Sequence, residues 1–424
     1  MDVTAVVVIG AGPAGLAVSR CLRDESIDHV VLERAEVASS WRHERWDSLR
    51  TLTPNWMNRL PGLPYRGDDP DGYMTATEVA DTLVRYAHDI DAPVKTGTTV
   101  VGIGPATKGW RVETDHGPWR CRVVVIATGA NSQPRVPAVA AQLPATIQQL
   151  SPTDYRNPEQ LGPGRVLVVG ASASGVQIAD ELARSGRDVT LSVGQHVRLP
   201  RTYRGRDIHW WMEAIGLADE RWNEIDDLAR ARRVPSPQLA GTADRRSCDL
   251  NTLRAAGVTM LGRVVGVSSG RLQCSGSLAN LSANADLKQN RLLDRIDAYA
   301  AAAGLDDAAP ERPAPTTLGT PATDVDLAGV GTIVWATGYR AAYPWLDSAV
   351  LDRRGQIIHD GGVMPVPGLY VVGLPLLRRR KSSFLDGIGA DAVDVSAHLR
   401  QHLERSPSLI GASGGRALAP ASAL

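Results

Sequence analysis

Two glycine-rich turns in this 424-residue chain have the residue types and spacing that bind a dinucleotide. The first, Gly10-Ala-Gly-Pro-Ala-Gly15, follows the apolar run Val6–Ile9 and precedes a helical pattern. In such a turn the first glycine permits the bend, the second admits the diphosphate, and the third lets helix and strand pack closely. Amide donors at the start of the helix then face the diphosphate. We predict that the diphosphate is held by Gly10, Gly12, Pro13, Ala14 and Gly15.

An acidic residue follows the next apolar run. The run His29–Leu32 ends in Glu33, which lies 18 residues after Gly15. A carboxylate at about this spacing holds ribose hydroxyls in dinucleotide-binding units. Glu33 and its neighbour Arg34 are therefore predicted cofactor contacts, and the alternative is a glycine turn that binds no ligand.

The strand, turn and helix pattern then repeats within the chain. The apolar run Arg165–Val169 leads into Gly170-Ala-Ser-Ala-Ser-Gly175 and a second helical pattern. An internal copy of a nucleotide-binding unit predicts a second dinucleotide site. Because Ser172 replaces the middle glycine, we expect the diphosphate to lie slightly further from the backbone. The predicted contacts are Gly170, Ser172, Ser174 and Gly175.

The second unit lacks the acidic residue of the first. The strand pattern at 188–193 has no carboxylate near Ser192, and four arginines follow it: Arg198, Arg201, Arg204 and Arg206. Arginines pair with a 2′-phosphate that a carboxylate would repel, which favours NADPH over NADH. Arg198 and Arg201 are the predicted contacts, and the alternative is that these arginines are solvated on a loop.

Two further turns of small residues come at the ends of apolar strand patterns. They are Ala127-Thr-Gly129 and Ala336-Thr-Gly338. The tip of a central parallel strand approaches the ligand in this kind of fold. We therefore predict cofactor contacts at Thr128, Gly129, Thr337 and Gly338, and we expect the second turn to return the chain to the first domain.

Aromatic residues are concentrated in an irregular stretch after the first unit. Trp41, Trp46 and Trp56 lie within 16 residues. Such rings can cover a flat ring system or pack in a core, and the sequence leaves both open. We predict that Trp41 and Arg42 contact the first cofactor.

Composition excludes several other classes of protein. The chain has 46 basic and 46 acidic residues, which argues against a nucleic acid partner. Its four cysteines form no CxxC pair, so neither a metal site nor a redox dithiol is predicted. No signal-type segment and no apolar run of ~18 residues is present, so we expect no membrane association and a cytoplasmic location.

These patterns predict an α/β fold with two Rossmann-like dinucleotide-binding domains, the NADPH domain inserted into the first domain. The first domain is expected to be discontinuous, covering residues 1–158 and 325–405. The NADPH domain is expected at 159–324 with a helical insertion, and residues 406–424 are expected to form a disordered tail.

The chain resembles the two-dinucleotide-binding-domain flavoproteins, and within them the flavin-containing monooxygenases and the bacterial CzcO-type flavoproteins. The resemblance implies FAD in the first site, NADPH in the second and O2 as oxidant. It implies monooxygenation of a small organic substrate through a C4a-(hydro)peroxyflavin, by N- or S-oxygenation or Baeyer-Villiger insertion, with Asn55 near the flavin. A homodimer is one assembly that it allows. The motifs that carry it are GAGPAG, Ser40-Trp-Arg42, Leu52-Thr-Pro-Asn55, GASASG, Trp335-Ala-Thr-Gly338, Arg201-Thr-Tyr-Arg-Gly-Arg-Asp207 and Arg378-Arg-Arg-Lys-Ser-Ser-Phe384.

The chain also departs from the family pattern. Counted back from Tyr155, the fingerprint FxGxxxHxxxY meets Ala145, Ile147 and Ser151, so only the tyrosine matches. Leu374 stands where many related flavoproteins have an aspartate. Two alternatives therefore stay open: an NADPH-dependent flavin reductase or oxidase that inserts no oxygen, and a nucleotide-sensing protein without turnover.

Overall fold

The computed structural model describes residues 1–305, 309–319 and 322–405. The predicted tail at 406–424 lies outside them. None of the described helices combines the length and the apolar character needed to cross a membrane.

Most strands in the described residues are short. They are β1 (Asp2–Val3), β2 (Val6–Ile9), β3 (His29–Leu32), β4 (Val94–Lys95), β5 (Val100–Pro105), β6 (Trp110–Thr114), β7 (Trp119–Cys121), β8 (Val123–Ile126), β9 (Gln133–Pro134), β10 (Gln148–Leu150), β11 (Arg165–Val169), β12 (Val189–Ser192), β13 (Val197–Arg198), β14 (Thr202–Tyr203), β15 (Arg206–Asp207), β16 (Pro237–Gln238), β17 (Thr259–Leu261), β18 (Val264–Ser268), β19 (Arg271–Cys274), β20 (Asp324–Asp326), β21 (Val330–Trp335), β22 (Tyr339–Arg340) and β23 (Leu369–Val371).

The described residues also form nine α-helices. They are α1 (Pro13–Asp24), α2 (Ser39–His43), α3 (Ala76–Asp89), α4 (Ala173–Arg184), α5 (Ile208–Ala214), α6 (Leu228–Ala231), α7 (Leu250–Ala255), α8 (Leu278–Ala303) and α9 (Leu385–Arg405). Helix α3 begins with a capping box, in which Thr75 and Glu78 exchange side-chain and backbone hydrogen bonds.

The first parallel sheet has the strand order β23-β8-β2-β3-β4. Its central strand β2 is buried along its whole length and pairs with both β3 and β8. A parallel strand covered on both faces is apolar throughout, which explains the unbroken valine and isoleucine run. The chain leaves β2 at Gly10, where the strand order reverses and ligands bind in such sheets.

The second parallel sheet repeats this arrangement in the order β10-β21-β11-β12-β17. Its central strand β11 pairs with β12 and β21, as β2 pairs with β3 and β8. The two sheets therefore place their glycine turns at equivalent points, and the predicted α/β fold with two Rossmann-like units is confirmed.

The sheets also correct the predicted domain boundaries. Strand β10, assigned by sequence to 1–158, pairs with β21, and β21, assigned to 325–405, pairs with β11. Both strands are therefore part of the second sheet. The sequence did not predict this, because a buried strand has the same apolar pattern in either sheet. Two short strands, β9 and β22, run antiparallel where the chain passes between the units.

Candidate functional site

The first glycine turn has one open position. Gly10 has a φ of +106°, and a side chain there would also lie 2.8 Å from the carbonyl oxygen of Ala127. A Cβ at Gly15 would overlap the carbonyl oxygen of Gly10, because helix and strand meet there. At Gly12, by contrast, a Cβ would have no atom within 4 Å. The turn therefore leaves room at the position where a diphosphate approaches the backbone.

Glu33 is fixed against the same turn. Its carboxylate accepts hydrogen bonds from the backbone N–H of Ala11 at 2.8 Å and from that of Ala35 at 3.0 Å. Each carboxylate oxygen keeps a further lone pair. The structure thus brings the predicted ribose contact to the glycine turn and leaves acceptor capacity for hydroxyl groups.

The other predicted contacts of the first turn lie close by in the fold. Pro13 is the first residue of α1, and Ala14 follows it within one helical turn. Strand β8 ends at Ile126, and Thr128 and Gly129 come directly after Ala127. The carbonyl oxygen of Ala127 is the atom that a Cβ at Gly10 would approach. The backbone N–H of Ala38 donates to the carbonyl of Ala11, so helix α2 also begins beside this turn.

Helix α2 carries Trp41 and Arg42, and both are partly engaged with protein. Trp41 packs against the core of the first unit, with the guanidinium of Arg45 over its ring at 5.3 Å. Arg42 donates to Asp81 at 2.8 Å on the surface. Arg34 is exposed, with Glu44 at 3.4 Å. Their cofactor contacts stay predictions.

Trp46 answers one alternative that the sequence left open. Its side chain is 5 % exposed and belongs to the apolar core of the second unit, together with Val168 and Val176. This tryptophan is therefore a packing residue that joins the two units.

The second glycine turn repeats the first. Gly170 has a φ of +108°, and a side chain there would overlap the carbonyl oxygen of Ala336. A Cβ at Gly175 would overlap Gly170, as in the first turn. Ser172 precedes α4 and its side chain makes no capping hydrogen bond, while Ser174 lies in the first turn of the helix. Backbone donors at the start of α4 remain for a ligand.

Thr337 and Gly338 belong to this second turn. Strand β21 ends at Trp335, and Thr337 and Gly338 come directly after Ala336. The carbonyl oxygen of Ala336 is the atom that a Cβ at Gly170 would overlap. The expectation that they return the chain to the first domain is therefore corrected: they flank Gly170 as Thr128 and Gly129 flank Gly10.

Arg198 is buried in an ion-pair cluster. Its guanidinium donates to Asp249 at 2.7 and 2.9 Å and to Asp286 at 2.7 Å, and its side chain is 3 % exposed. Two carboxylates already neutralise this charge. The placement argues against Arg198 as a contact for a 2′-phosphate.

Arg201 is also enclosed by protein. Its Nη1 donates to the carbonyl of Leu52 at 2.8 Å, and its Nη2 lies 2.7 Å from Asp207 and 2.8 Å from Nδ1 of His209. The guanidinium stacks over the ring of Tyr73 at 5.0 Å. Arg201 is fully buried, so this placement argues against a 2′-phosphate contact here too.

Asn55 makes hydrogen bonds within its own loop. Its Nδ2 donates to the carbonyl of Asp69 at 2.9 Å and to the hydroxyl of Tyr65 at 3.3 Å, while its Oδ1 accepts from Asn58 at 3.2 Å. Both ends of the amide are therefore used by protein. The structure supports a loop-ordering role, and a role beside the flavin stays a prediction.

Sequence reasoning missed a polar cluster where the two units meet. Asp207 accepts from Arg201, from the hydroxyl of Tyr73 at 2.7 Å and from the backbone N–H of His209 at 2.8 Å. The ring of His209 meets that of Phe384 edge to face, with centroids 5.3 Å apart. The string Arg201–Asp207 contains this aspartate, but only the fold shows that Asp207 pairs with the arginine that begins it.

The basic run before α9 is also paired. Lys381, 5 % exposed, has its Nζ within 3.1 Å of Glu213, 3.0 Å of Asp219 and 2.8 Å of Asp386. Arg379 donates to Asp391 at 2.6 Å. These ion pairs tie the start of α9 to the segment around α5.

Tyr155, the matching residue of the fingerprint, is fully buried, and its hydroxyl donates to Glu181 at 2.7 Å. Burial raises the pKa of Glu181 despite hydrogen bonds from Ser48 and Tyr155. The pair joins the connector between the units to helix α4. Within the described residues, no group of three or more His, Cys, Asp or Glu is arranged to hold a metal ion.

Known proteins share both the sequence pattern and this architecture. The family described as pyridine nucleotide-disulphide oxidoreductase matches residues 7–212. The uncharacterized oxidoreductase CzcO-like of Geobacillus kaustophilus is 32 % identical over 91 % of this chain and 95 % of its own length. Indole-3-pyruvate monooxygenase YUCCA1 of Oryza sativa subsp. japonica is 29 % identical over 96 % of this chain and 94 % of its own.

Solved structures agree on the fold. A flavin-containing monooxygenase from Stenotrophomonas maltophilia superposes with a TM-score of 0.66 at 21 % identity, covering 95 % of this chain and 99 % of its own. Bacillithiol disulfide reductase from Staphylococcus aureus gives a TM-score of 0.61 at 14 % identity with the same coverage. With the two glycine turns and the full-length relative, these likenesses lead to one assignment: the chain belongs to the CzcO-like oxidoreductases, and it shares its fold with the solved flavin-containing monooxygenase.

Proposed function

We propose that this chain is an FAD- and NADPH-dependent monooxygenase of a small organic substrate, acting by N- or S-oxygenation or Baeyer-Villiger insertion. The observation that carries the proposal is the pair of matched glycine turns, each at the end of the central strand of a parallel sheet. Two such turns in one chain provide for two dinucleotides. An enzyme that couples a pyridine nucleotide to a flavin needs both.

The residues around Gly12 fit the diphosphate of FAD. The position is open, the amides at the start of α1 are free to donate, and Glu33 is oriented towards the turn. Pro13 at the first helical position lacks an N–H, which costs no hydrogen bond there. When bound, FAD supplies the capacity to take a hydride and to activate O2.

The second turn fits the diphosphate of NADPH. Strand β12 ends at Ser192, whose hydroxyl donates to the carbonyl of Gly262 at 2.9 Å, and no carboxylate follows it as Glu33 follows β3. The absence of that negative charge favours a coenzyme with a 2′-phosphate. The proposal uses neither Arg198 nor Arg201 for this phosphate.

The chain's own part in catalysis is to orient the reactants and exclude water. Trp46 closes the junction between the units with apolar surface, and Arg201 closes it with hydrogen bonds to Leu52 and Asp207. A dry junction protects reactive oxygen chemistry from solvent and strengthens the polar contacts inside it. The relative YUCCA1, named an indole-3-pyruvate monooxygenase, supports oxygen insertion as the outcome.

The direct test begins with the purified protein. We expect a yellow protein that releases FAD on denaturation and oxidises NADPH faster than NADH. In 18O2 we expect one labelled oxygen atom in a thioether, a tertiary amine or a ketone from a test panel. Label that appears only in water or hydrogen peroxide, with every panel member unchanged, would contradict monooxygenation.

A second candidate is an NADPH-dependent flavin reductase or oxidase. It is favoured by the connector, where Ser151 stands at the histidine position and bonds its neighbours Thr153 and Asp154. In that case we expect the amount of hydrogen peroxide released to equal the amount of NADPH oxidised. Disulfide reduction has less support, because the sequence has no CxxC pair and burial raises the pKa of the Cys21 thiol to about 11 and that of Cys121 to about 12. A colourless protein that never oxidises NADPH would leave the nucleotide-sensing alternative.

A further inference from the structure

His209 lies in the second unit and is linked to two segments of the first unit, to one directly and to the other through Arg201. Its partner Arg201 donates to Leu52, in the loop that carries Asn55. Its ring meets Phe384, the residue before the first turn of α9. His209 is 2 % exposed and is therefore buried at the junction of the two units.

The contacts of Nδ1 determine which ring nitrogen carries the proton. A guanidinium nitrogen is always a donor, and Nη2 of Arg201 lies 2.8 Å from Nδ1 of His209. Nδ1 therefore accepts, although Oδ1 of Asp207 also lies 3.2 Å away. The neutral ring must then carry its hydrogen on Nε2.

Burial of the ring favours the neutral form of His209. Burial lowers its pKa, and the charge of Arg201 lowers it further, against an opposing effect of Asp207. Asp207 itself stays ionised. Burial alone would raise its pKa, but the hydrogen bond from the backbone N–H of His209 and the charge of Arg201 hold it below the usual range.

Nε2 is the ring nitrogen of His209 for which the described residues provide no hydrogen-bond acceptor. Asp207 and Arg201 fix the opposite edge of the ring, and Phe384 contacts the ring edge to face. No hydrogen bond from the described part of the chain reaches Nε2. An N–H that protein leaves without an acceptor, on a ring fixed at its opposite edge, is positioned to donate to a ligand at this junction.

We propose that His209 is a neutral N–H donor, held by Asp207 and Arg201, that binds a carbonyl oxygen of a molecule lying between the two units. The carbonyl belongs either to the flavin ring or to the substrate. The proposal rests on the proposed function for the presence of FAD at this junction. It assigns His209 to binding and orientation, and no proton leaves Nε2.

The test compares two replacements of the ring. His209→Phe keeps the apolar volume and removes the donor. His209→Gln places an amide N–H near the position of Nε2 and is the conservative variant. Far-ultraviolet circular dichroism and FAD content establish that each variant is folded and loaded.

Two readouts distinguish the sources of the carbonyl. If the flavin supplies it, the reduction potential of the bound FAD becomes more negative in His209→Phe and returns in His209→Gln, without any substrate present. If the substrate supplies it, the potential is unchanged and KM rises about tenfold in His209→Phe, as expected for one lost hydrogen bond, with recovery in His209→Gln. Equal potentials and equal KM in wild type and His209→Phe would overturn the proposal, as would a defect that glutamine does not relieve.

The tautomer gives a readout that needs no activity. In 15N-histidine-labelled wild-type protein, we expect the signals that disappear in His209→Gln to show a protonated Nε2 and an unprotonated Nδ1. Protonation at Nδ1 would overturn the assignment even if the variants do not fold. Failure to find FAD or an oxygenated product would instead count against the proposed function, and would leave the tautomer result standing.

Discussion

Gly12 and Ser172 have the same backbone conformation at the same point of the two glycine turns. Gly12 has φ −85° and ψ −172°, and Ser172 has φ −87° and ψ −173°. Both precede the first residue of a helix, α1 and α4 respectively. Neither conformation requires glycine, so the difference between the two residues concerns the space left for a ligand rather than the backbone.

This relationship predicts the behaviour of Gly12→Ala. The added Cβ meets no protein atom, so the free energy of unfolding of the ligand-free protein should change by less than about 0.5 kcal/mol. The methyl group occupies space where the diphosphate approaches, so we expect FAD content to fall at least tenfold. Urea unfolding and the flavin absorbance of the purified protein measure the two effects.

Gly15→Ala is the matched control within the same turn. Its Cβ overlaps the carbonyl oxygen of Gly10, so helix and strand must separate. We expect a loss of about 2 kcal/mol or more in the free energy of unfolding. Equal stability of Gly12→Ala and Gly15→Ala would contradict the close approach of α1 to β2.

Arg198 should prove to be a stability residue. Arg198→Ala leaves the buried Asp249 and the partly buried Asp286 without their counter-charge, and we expect the free energy of unfolding to fall by about 3–5 kcal/mol. The exposed Arg206 lies over the ring of Trp210 at 4.2 Å and serves as the control, with an expected change below about 1 kcal/mol. An Arg198→Ala protein of wild-type stability that has lost its preference for NADPH would restore the sequence-based interpretation.

The glycine turns could be predicted from the sequence because their signals are local. Gly10, Gly15 and Glu33 lie within one strand, turn and strand unit, where spacing fixes position. Arg198 could not be placed in this way. Its partners Asp249 and Asp286 lie 51 and 88 residues away, and only the tertiary fold brings them together.

The sheet to which β21 belongs and the role of Asp207 could not be predicted for the same reason: each depends on tertiary neighbours. An apolar strand pattern does not indicate which strands pair with it, so the sequence of Val330–Trp335 is compatible with either sheet. Asp207 joins Arg201, Tyr73 and His209 across the junction of two units. A sequence motif gives the residue types, whereas the hydrogen-bond partners of Asp207 depend on how the second unit packs on the first.

Asn55 should contribute to the order of its loop. Asn55→Ala removes the donor to Asp69 and the acceptor for Asn58, so we expect a loss of about 1–3 kcal/mol in the free energy of unfolding. Asn131→Ala, at an exposed loop position, is the control and should change stability by less than about 0.5 kcal/mol. If Asn55→Ala keeps wild-type stability and releases more hydrogen peroxide per NADPH, then Asn55 acts at the flavin.

His359 should make the folded state sensitive to acid. Burial and the charge of Arg232 together lower its pKa from 6.5 to about 4, against an opposing effect of Asp360, while Nδ1 accepts a hydrogen bond from the N–H of Gly362 at 3.2 Å. Between these pH values the unfolded chain binds a proton that the folded chain does not. The free energy of unfolding therefore falls as the pH falls from about 6.5 to about 4, by about 3 kcal/mol in total.

The variant His359→Gln isolates this contribution. Glutamine can accept the hydrogen bond from Gly362 without titrating, so its free energy of unfolding should depend less steeply on pH than that of wild type between pH 6.5 and pH 4. His88→Gln, at a side chain that is 90 % exposed, is the control and should follow the wild-type curve. Urea unfolding at half-unit pH intervals gives the three curves. Parallel curves for wild type and His359→Gln would show that the folded protein admits a proton to His359 as readily as the unfolded chain does.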